Sequence, residues 1–408
     1  MNTATTAKSA DTRHSGRVRT QDVRGQESWV LRTPEVEAFV TRQAGHMAPV
    51  RFRIGNHWVE PYAIAPWAKE TINASTPQVV RVMRGDFFCM PFGGNEKHYK
   101  GEIHPPHGET ANGKWRLEAS SRQCLHLFMM TSVRKGRVDK VIRLVPGQTA
   151  IYSQHVISGM KGPMSLGHHP ILRVPEGVTA RVSLSPFRFG QVFPGMLEDP
   201  AKGGYSLLKA GERFSSLERV PQIDGNWADL SVYPAREGYE DLVLMSSNPE
   251  SQFSWIALTV PEKRYVWFSL KDPRVLPATV LWMSNGGRHY APWNGRHRHT
   301  IGLEEIIGNF HYGLAESATR NSLNRAGVAT CVKLNPLQAL AVNYIVAVAE
   351  IPGGFDIVES ILPSHVGKSV VIRSKSGKTI TVDLDISFLS EPPYPCAITN
   401  RSGRNFAR

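Results

Sequence analysis

The chain lacks most of the features that mark metal-bound, secreted or membrane-embedded proteins. Its four cysteines (Cys89, Cys124, Cys331 and Cys396) have no C-x-x-C spacing. That excludes the usual zinc ribbon and argues against a disulfide scaffold, leaving reduced, mostly buried thiols. No apolar run approaches the ~20 residues of a membrane span; the longest, "ALAVNYIVAVA" at 339–349, falls far short. The N-terminal "MNTATTAKSADTRHSGRVRTQDVRG" has no apolar core of a secretory signal and reads as a disordered basic tail over residues 1–26. The expectation is a cytoplasmic protein that does not enter a membrane. Acids are also scarce, 35 against 48 Lys and Arg, for a net charge of +13. Such a charge invites a nucleic-acid reading. The basic residues, however, are spread along the chain or sit in the tails, including "RSGRNFAR" at 401–408, and no helix-turn-helix, RNP-type or zinc-finger pattern accompanies them. Nucleic acid is therefore not the expected partner.

Helical periodicity is scarce too. Its best stretch, residues 302–327, is broken by internal glycines, and Glu304 stands at its start. Strand signals dominate instead. "VEAFVTRQAGHMAPVRF", "QFSWIALTV" and "KRYVWFSL" show alternation or β-branched and aromatic enrichment between Gly, Pro, Asn and Ser. "SVVIRSKSGKTITVDLDI" reads as a hairpin across "SKSG". Its "SGKT" is not a phosphate loop, because Ile372 stands where the first glycine of that motif is required. No repeat or low-complexity linker interrupts residues 27–400. The pattern predicts an all-β fold, a large antiparallel twisted sandwich with a few short helices, in one domain over 27–400 between two basic tails.

Three Gly/Pro-rich clusters hold the candidate chemistry: "HPPHGE", "SLGHHPILRVPEG" (165–177) and "GGRHYAPWNGRHRHTIGLEEIIG" (286–308). They contain His104, His107, His168, His169, His289, His297 and His299. "HRHTIGLE" has the H-x-H-x4-E form of cupin-like metalloenzymes, with His297, His299 and Glu304 as ligands. The second histidine strand of that pattern does not follow; only His311 and His365 come later. The two prolines of "HPPH" also prevent the helical pairing that would bring both imidazoles onto one ion. No metal and no cofactor are expected. The alternative chemistry is proton transfer, with a carboxylate base and an imidazole acid on opposite sides of a bound sugar.

The order of His107-Gly108, then "SLGHHP" with "ILRVPEG", then "IGLEE" resembles the aldose 1-epimerase (galactose mutarotase-like) superfamily. That superfamily has an early "HG" loop, a central "G-x-HPYF" strand and a late "G-x-EP" motif. "HHPIL" and "GLEE" depart from it, and its Asn-Arg pair before the "HG" loop has no counterpart, so the chain is similar to a remote branch. The resemblance implies a twisted β-sandwich with an open cleft and a cofactor-free isomerase. In that mechanism a glutamate takes the proton of the anomeric hydroxyl, a histidine protonates the ring oxygen, and the opened sugar recloses as the other anomer. Carried over by position, the glutamate is Glu304 and the histidine His169, with His168 as the neighbouring candidate. His107 would hold sugar hydroxyls, Trp293 would stack on the ring, and Arg84 or Asn95 would replace the missing pair. If the sugar is acidic or phosphorylated, Arg84, Arg288 or Arg296 should line the cleft. The partner is a small carbohydrate, of unspecified identity, and the oligomeric state is open. Two other readings remain: a carbohydrate-binding protein of the same fold without turnover, and the cupin-like metalloenzyme.

Overall fold

The computed structural model describes residues 20–364 and 367–393. Strands account for 47% of it and helix for 7%, in line with the all-β expectation. A nine-stranded and an eight-stranded antiparallel sheet dominate. They pack face to face over a shared core in which Trp267, Tyr344 and Val346 of the first sheet meet Leu281, Met283, Ile301 and Leu303 of the second. Each sheet is also covered on its other face. The hairpin pair Ser369–Ser374 and Thr379–Asp383, together with Phe388, covers the nine-stranded sheet. The outer face of the eight-stranded sheet carries a third cluster that includes Phe87, Leu242, Val280, Trp282 and Ile306.

Double coverage explains a feature of the sequence. Strands Ser254–Val260, Tyr265–Lys271, Ala278–Asn285 and Thr300–Ile307 are buried at every position. A strand with two covered faces does not need a polar face, so it reads as a near-continuous apolar run rather than an alternating one. The expected hairpin across "SKSG" forms with Ile372 opposite Ile380. A further hairpin pairs Val36–Thr41 with Met47–Ile54 through a turn in which Ala44 and Gly45 both take positive φ.

Two expectations change. Thr20–Asp22 is a strand paired with Glu27–Arg32, so residues 20–22 of the anticipated tail belong to a five-stranded sheet and residues 23–26 form the turn that follows. Residues 1–19 and 401–408, and with them Cys396 and His365, lie outside the described residues. Glu304 does not begin a helix. It sits in the middle of strand Thr300–Ile307, whose neighbours on both sides supply its backbone partners; the short helices come later, at Leu314–Ala318 and Ser322–Arg325. Among the described residues no helix is long and apolar enough to cross a membrane.

Candidate active site

Strand alternation decides which side chains of "GLEE" can meet a ligand. Successive residues of a strand point to opposite faces. Glu304, opposite Val280, shares the outer face with Trp282 and Ile306, whereas Glu305, opposite Thr279, points into the core between the sheets. There Glu305 forms an ion pair with Lys271 of the facing sheet, both fully buried, and accepts a hydrogen bond from Thr279 Oγ1 at 2.7 Å.

His169 reaches Glu304 by the same logic. Strands Leu166–His168 and Ile171–Arg173 both pair with Thr300–Ile307, His168 opposite Glu305 and Ile171 opposite Gly302. Pro170 lacks an N–H and interrupts the ladder without shifting its register, as the Leu303 N to Pro170 O bond of 3.0 Å shows. His169 is thereby the cross-strand neighbour of Glu304, and its Nε2 lies 3.2 Å from Glu304 Oε1. On the other side its backbone N–H donates to Phe87 O at 2.9 Å, and the Phe87 ring stacks on the imidazole at 4.5 Å. Burial raises the Glu304 carboxyl well above its usual range and lowers His169 well below the usual imidazole value. Both effects favour the uncharged forms of the two groups. The anticipated separation across a bound sugar is not observed; the two groups touch.

His107 approaches from the loop formed by the first cluster. Its N–H donates to Gly93 O at 2.7 Å, its Nδ1 lies 3.3 Å from Cys89 Sγ, and its ring meets that of His169 edge-on at 5.0 Å. The glycine that follows it is required. Gly108 has φ +74°, and a Cβ there would lie 1.9 Å from Met90 O. Burial lowers His107 to about 3.

Around these groups lies a cavity of about 100 Å³. Trp293 lines it as anticipated in sequence, edge-on to Trp67 at 4.8 Å. Arg288 lines it too, with its guanidinium 4.4 Å from the Trp293 ring centre and its Nε donating to Glu198, which also accepts from Tyr290 OH. Behind Trp282, the buried Glu240 accepts from Trp282 Nε1 at 2.9 Å and Ser284 Oγ at 2.7 Å. Burial raises Glu240 to about 7 in spite of the opposing charge of Arg288. His311 completes the polar lining.

Three anticipated residues lie elsewhere. His168 points between the sheets, where Nδ1 is 3.1 Å from Asp86 Oδ2 and the ring stacks on Tyr344 at 4.1 Å; its adjacency to His169 puts it on the wrong face. Arg84 donates to the carbonyls of Val82, Val23 and Arg24, tying down the N-terminal segment. Asn95 donates to Pro91, Gly93 and Pro105 carbonyls and accepts from Leu314 N, so every polar atom of its amide joins one loop to another. His104 is likewise structural, bonded to Glu102, which in turn pairs with Arg134. His297 donates toward Ser284, and among the described residues no group of three or more His, Cys, Asp or Glu is placed to hold a metal; the His297, His299 and Glu304 set does not converge.

Sequence reading did not find the aliphatic part of the cavity: Val79, Val80 and Met83 around the short helix Gln78–Arg81, Leu197 from a loop, and Leu242 from strand Tyr239–Ser247. These are ordinary apolar residues with no motif around them. Arg288 had a signal, its place in the third cluster, and Glu240 had none.

The architecture belongs to a known class of β-sandwich, the galactose mutarotase-like fold. A galactose mutarotase related enzyme from Lactobacillus acidophilus superposes with a TM-score of 0.53 at 12% identity, over 80% of this chain and 99% of that one. A galactose mutarotase-like protein from Lactobacillus casei ATCC 334 gives 0.52 at 11% identity, over 79% and 99%. No family model and no curated protein matches the sequence.

Proposed function

We propose that the protein is a cofactor-free isomerase of the aldose 1-epimerase type, interconverting the anomers of a small sugar. The observation that supports this most is the contact between His169 and Glu304 in the lining of the cavity. Proton transfer within the pair gives a carboxylate and an imidazolium, the form suited to ring opening. Glu304 then takes the proton of the anomeric hydroxyl as the carbonyl forms and the bond from C1 to the ring oxygen breaks, and His169 gives its Nε2 proton to that oxygen. The pair is left as carboxylic acid and neutral imidazole. After rotation about the C1–C2 bond, closure runs in reverse: Glu304 protonates the carbonyl oxygen while His169 accepts the proton of the attacking hydroxyl. Each turnover therefore restores the starting pair, with no net proton exchanged. In this reading His107 and Arg288, which line the cavity, hold hydroxyls, and Trp293 contacts the ring. The free thiols of Cys89 and Cys331 fit a reducing, cytoplasmic setting.

The test is NMR exchange between anomers over a panel of hexoses, pentoses, deoxy sugars, uronates and hexose phosphates, with buffer as reference. Catalysed exchange of any member supports the reading. Saturable binding without exchange would replace it with a carbohydrate-binding protein of the same fold.

A further inference from the structure

The cavity wall is a poor match for a fully hydroxylated hexose. A flat aromatic platform suits the C–H face of such a ring, whose hydroxyls then reach polar groups at the rim. Here the wall around the ring is itself aliphatic, built by Val79, Val80, Met83, Leu197 and Leu242. None of these side chains donates a hydrogen bond and only the weakly accepting Met83 sulfur can take one, so a hydroxyl buried against them loses its water with little replacement. Once Glu304 and His169 are committed to the two oxygens at the anomeric carbon, the polar side chains left in the lining are His107, Arg288, His311 and the indole N–H of Trp293, and the Arg288 Nε is already bonded to Glu198.

The aliphatic wall is fixed in place. Val79 N donates to Asn112 Oδ1 at 2.8 Å, and the Asn112 amide donates to Gly108 O and Pro106 O, both at 2.7 Å. One side chain thus ties the wall to the loop that carries His107. Trp67 Nε1 donates to Val80 O at 2.8 Å, which joins the same helix to the aromatic cluster under Trp293. The cavity, about 100 Å³, is well below the ~300–1,000 Å³ of drug-sized ligand sites. It suits one small ring.

We infer that the preferred substrate is a deoxy sugar, a monosaccharide that presents a methyl or methylene group to the aliphatic wall where common hexoses carry a hydroxyl. This rests on the epimerase reading above. The wall makes no contact that a hydroxyl could improve, so discrimination comes from the desolvation of that hydroxyl, an effect of roughly 10- to 100-fold in kcat/KM.

The experiment compares matched pairs by NMR exchange: galactose with 6-deoxygalactose and with 2-deoxygalactose, and mannose with 6-deoxymannose. At least one deoxy sugar is expected to exceed its parent by about tenfold or more in kcat/KM. Val80→Thr, which keeps the shape and adds a hydroxyl, and Leu197→Asn are each expected to narrow that ratio while Glu304 and His169 are untouched. Parents that exchange as fast as their deoxy partners overturn the substrate assignment and leave the epimerase reading standing. If no sugar exchanges, both fall together. A ratio that neither variant changes overturns the role given to the wall.

Discussion

Glu304 and Glu305 are consecutive residues on opposite faces of one strand: Glu304 contacts His169 in the cavity, and Glu305 pairs with Lys271 between the sheets. The same side-chain chemistry, one residue apart, meets an imidazole at the cavity in one case and a lysine between the two sheets in the other. Their substitutions should separate cleanly.

Glu304→Gln is expected to abolish anomer exchange while sugar binding, measured by calorimetry, stays nearly intact. The amide keeps the shape but cannot carry the mobile proton. His169→Asn should lower turnover by roughly 10²–10⁴. Full activity in Glu304→Gln would remove the glutamate from the mechanism, and Glu305 could not replace it because it faces the core.

Glu305→Gln should act on stability instead. Removing the countercharge leaves the buried Lys271 ammonium facing neutral acceptors alone, the new amide, Thr279 and the Ala278 carbonyl. Breaking such a pair typically costs about 3–5 kcal/mol, whereas replacing both partners by apolar residues is often close to neutral. Urea denaturation of Glu305→Gln, Lys271→Met and the Glu305→Leu/Lys271→Met double variant checks this; a double variant weaker than both singles would contradict it.

Gly108→Ala should disturb the His107 loop. The added Cβ meets the Met90 carbonyl oxygen, and the backbone must hold a φ that alanine disfavours. A loss of roughly 1–3 kcal/mol is expected, with weaker sugar binding because His107 moves with the loop. His107→Ala should weaken binding too, with little change in kcat, since holding a hydroxyl contributes similarly to ground and transition states.

Stability should fall on acidification from pH 7 to 5. Burial lowers His107 and His297 to about 3 and His311 to about 4, and depresses His46, His155 and His169 strongly. The unfolded chain takes up these protons near pH 6.5 and the folded chain does not, so their contribution is complete above that pH and is lost below it. Four buried carboxyls act in the opposite sense. Glu240 and Asp241 are raised to about 7, and Glu304 and Glu305 are raised as well. They hold protons that the unfolded chain has released, which lowers stability as pH rises. Six histidines outnumber four carboxyls. The melting temperature should be lower at pH 5 than at pH 7, and Glu240→Gln, which removes one opposing group, should steepen the fall. A melting temperature that rises on acidification would show that the carboxyls dominate.

Some of this was legible in the sequence because it depends on local chemistry. The turn residues of "SKSG", the β-branched runs and the sparse helical periodicity are short-range signals, and they led to an antiparallel β-sandwich. The "HG", "HHP" and "GLEE" stretches marked the loops and strand from which the cavity is built, since a strained turn or a Pro-broken strand leaves a trace in composition. The strand at Glu304 was read as helix because its two covered faces erase the alternation that identifies a half-buried strand.

The sequence by itself determined the class of backbone, the Gly108 turn and a short roster of titratable candidates. Only the tertiary structure decided among them. Whether His168 or His169 enters the cavity depends on which face of their strand is turned outward, and that is set by pairing with Thr300–Ile307, more than a hundred residues away. The rejection of Arg84 and Asn95, the recruitment of Arg288 and the aliphatic wall have the same origin. A side chain's partners are fixed by long-range packing of sheets and loops, and local sequence carries no record of which distant surface will come to face it.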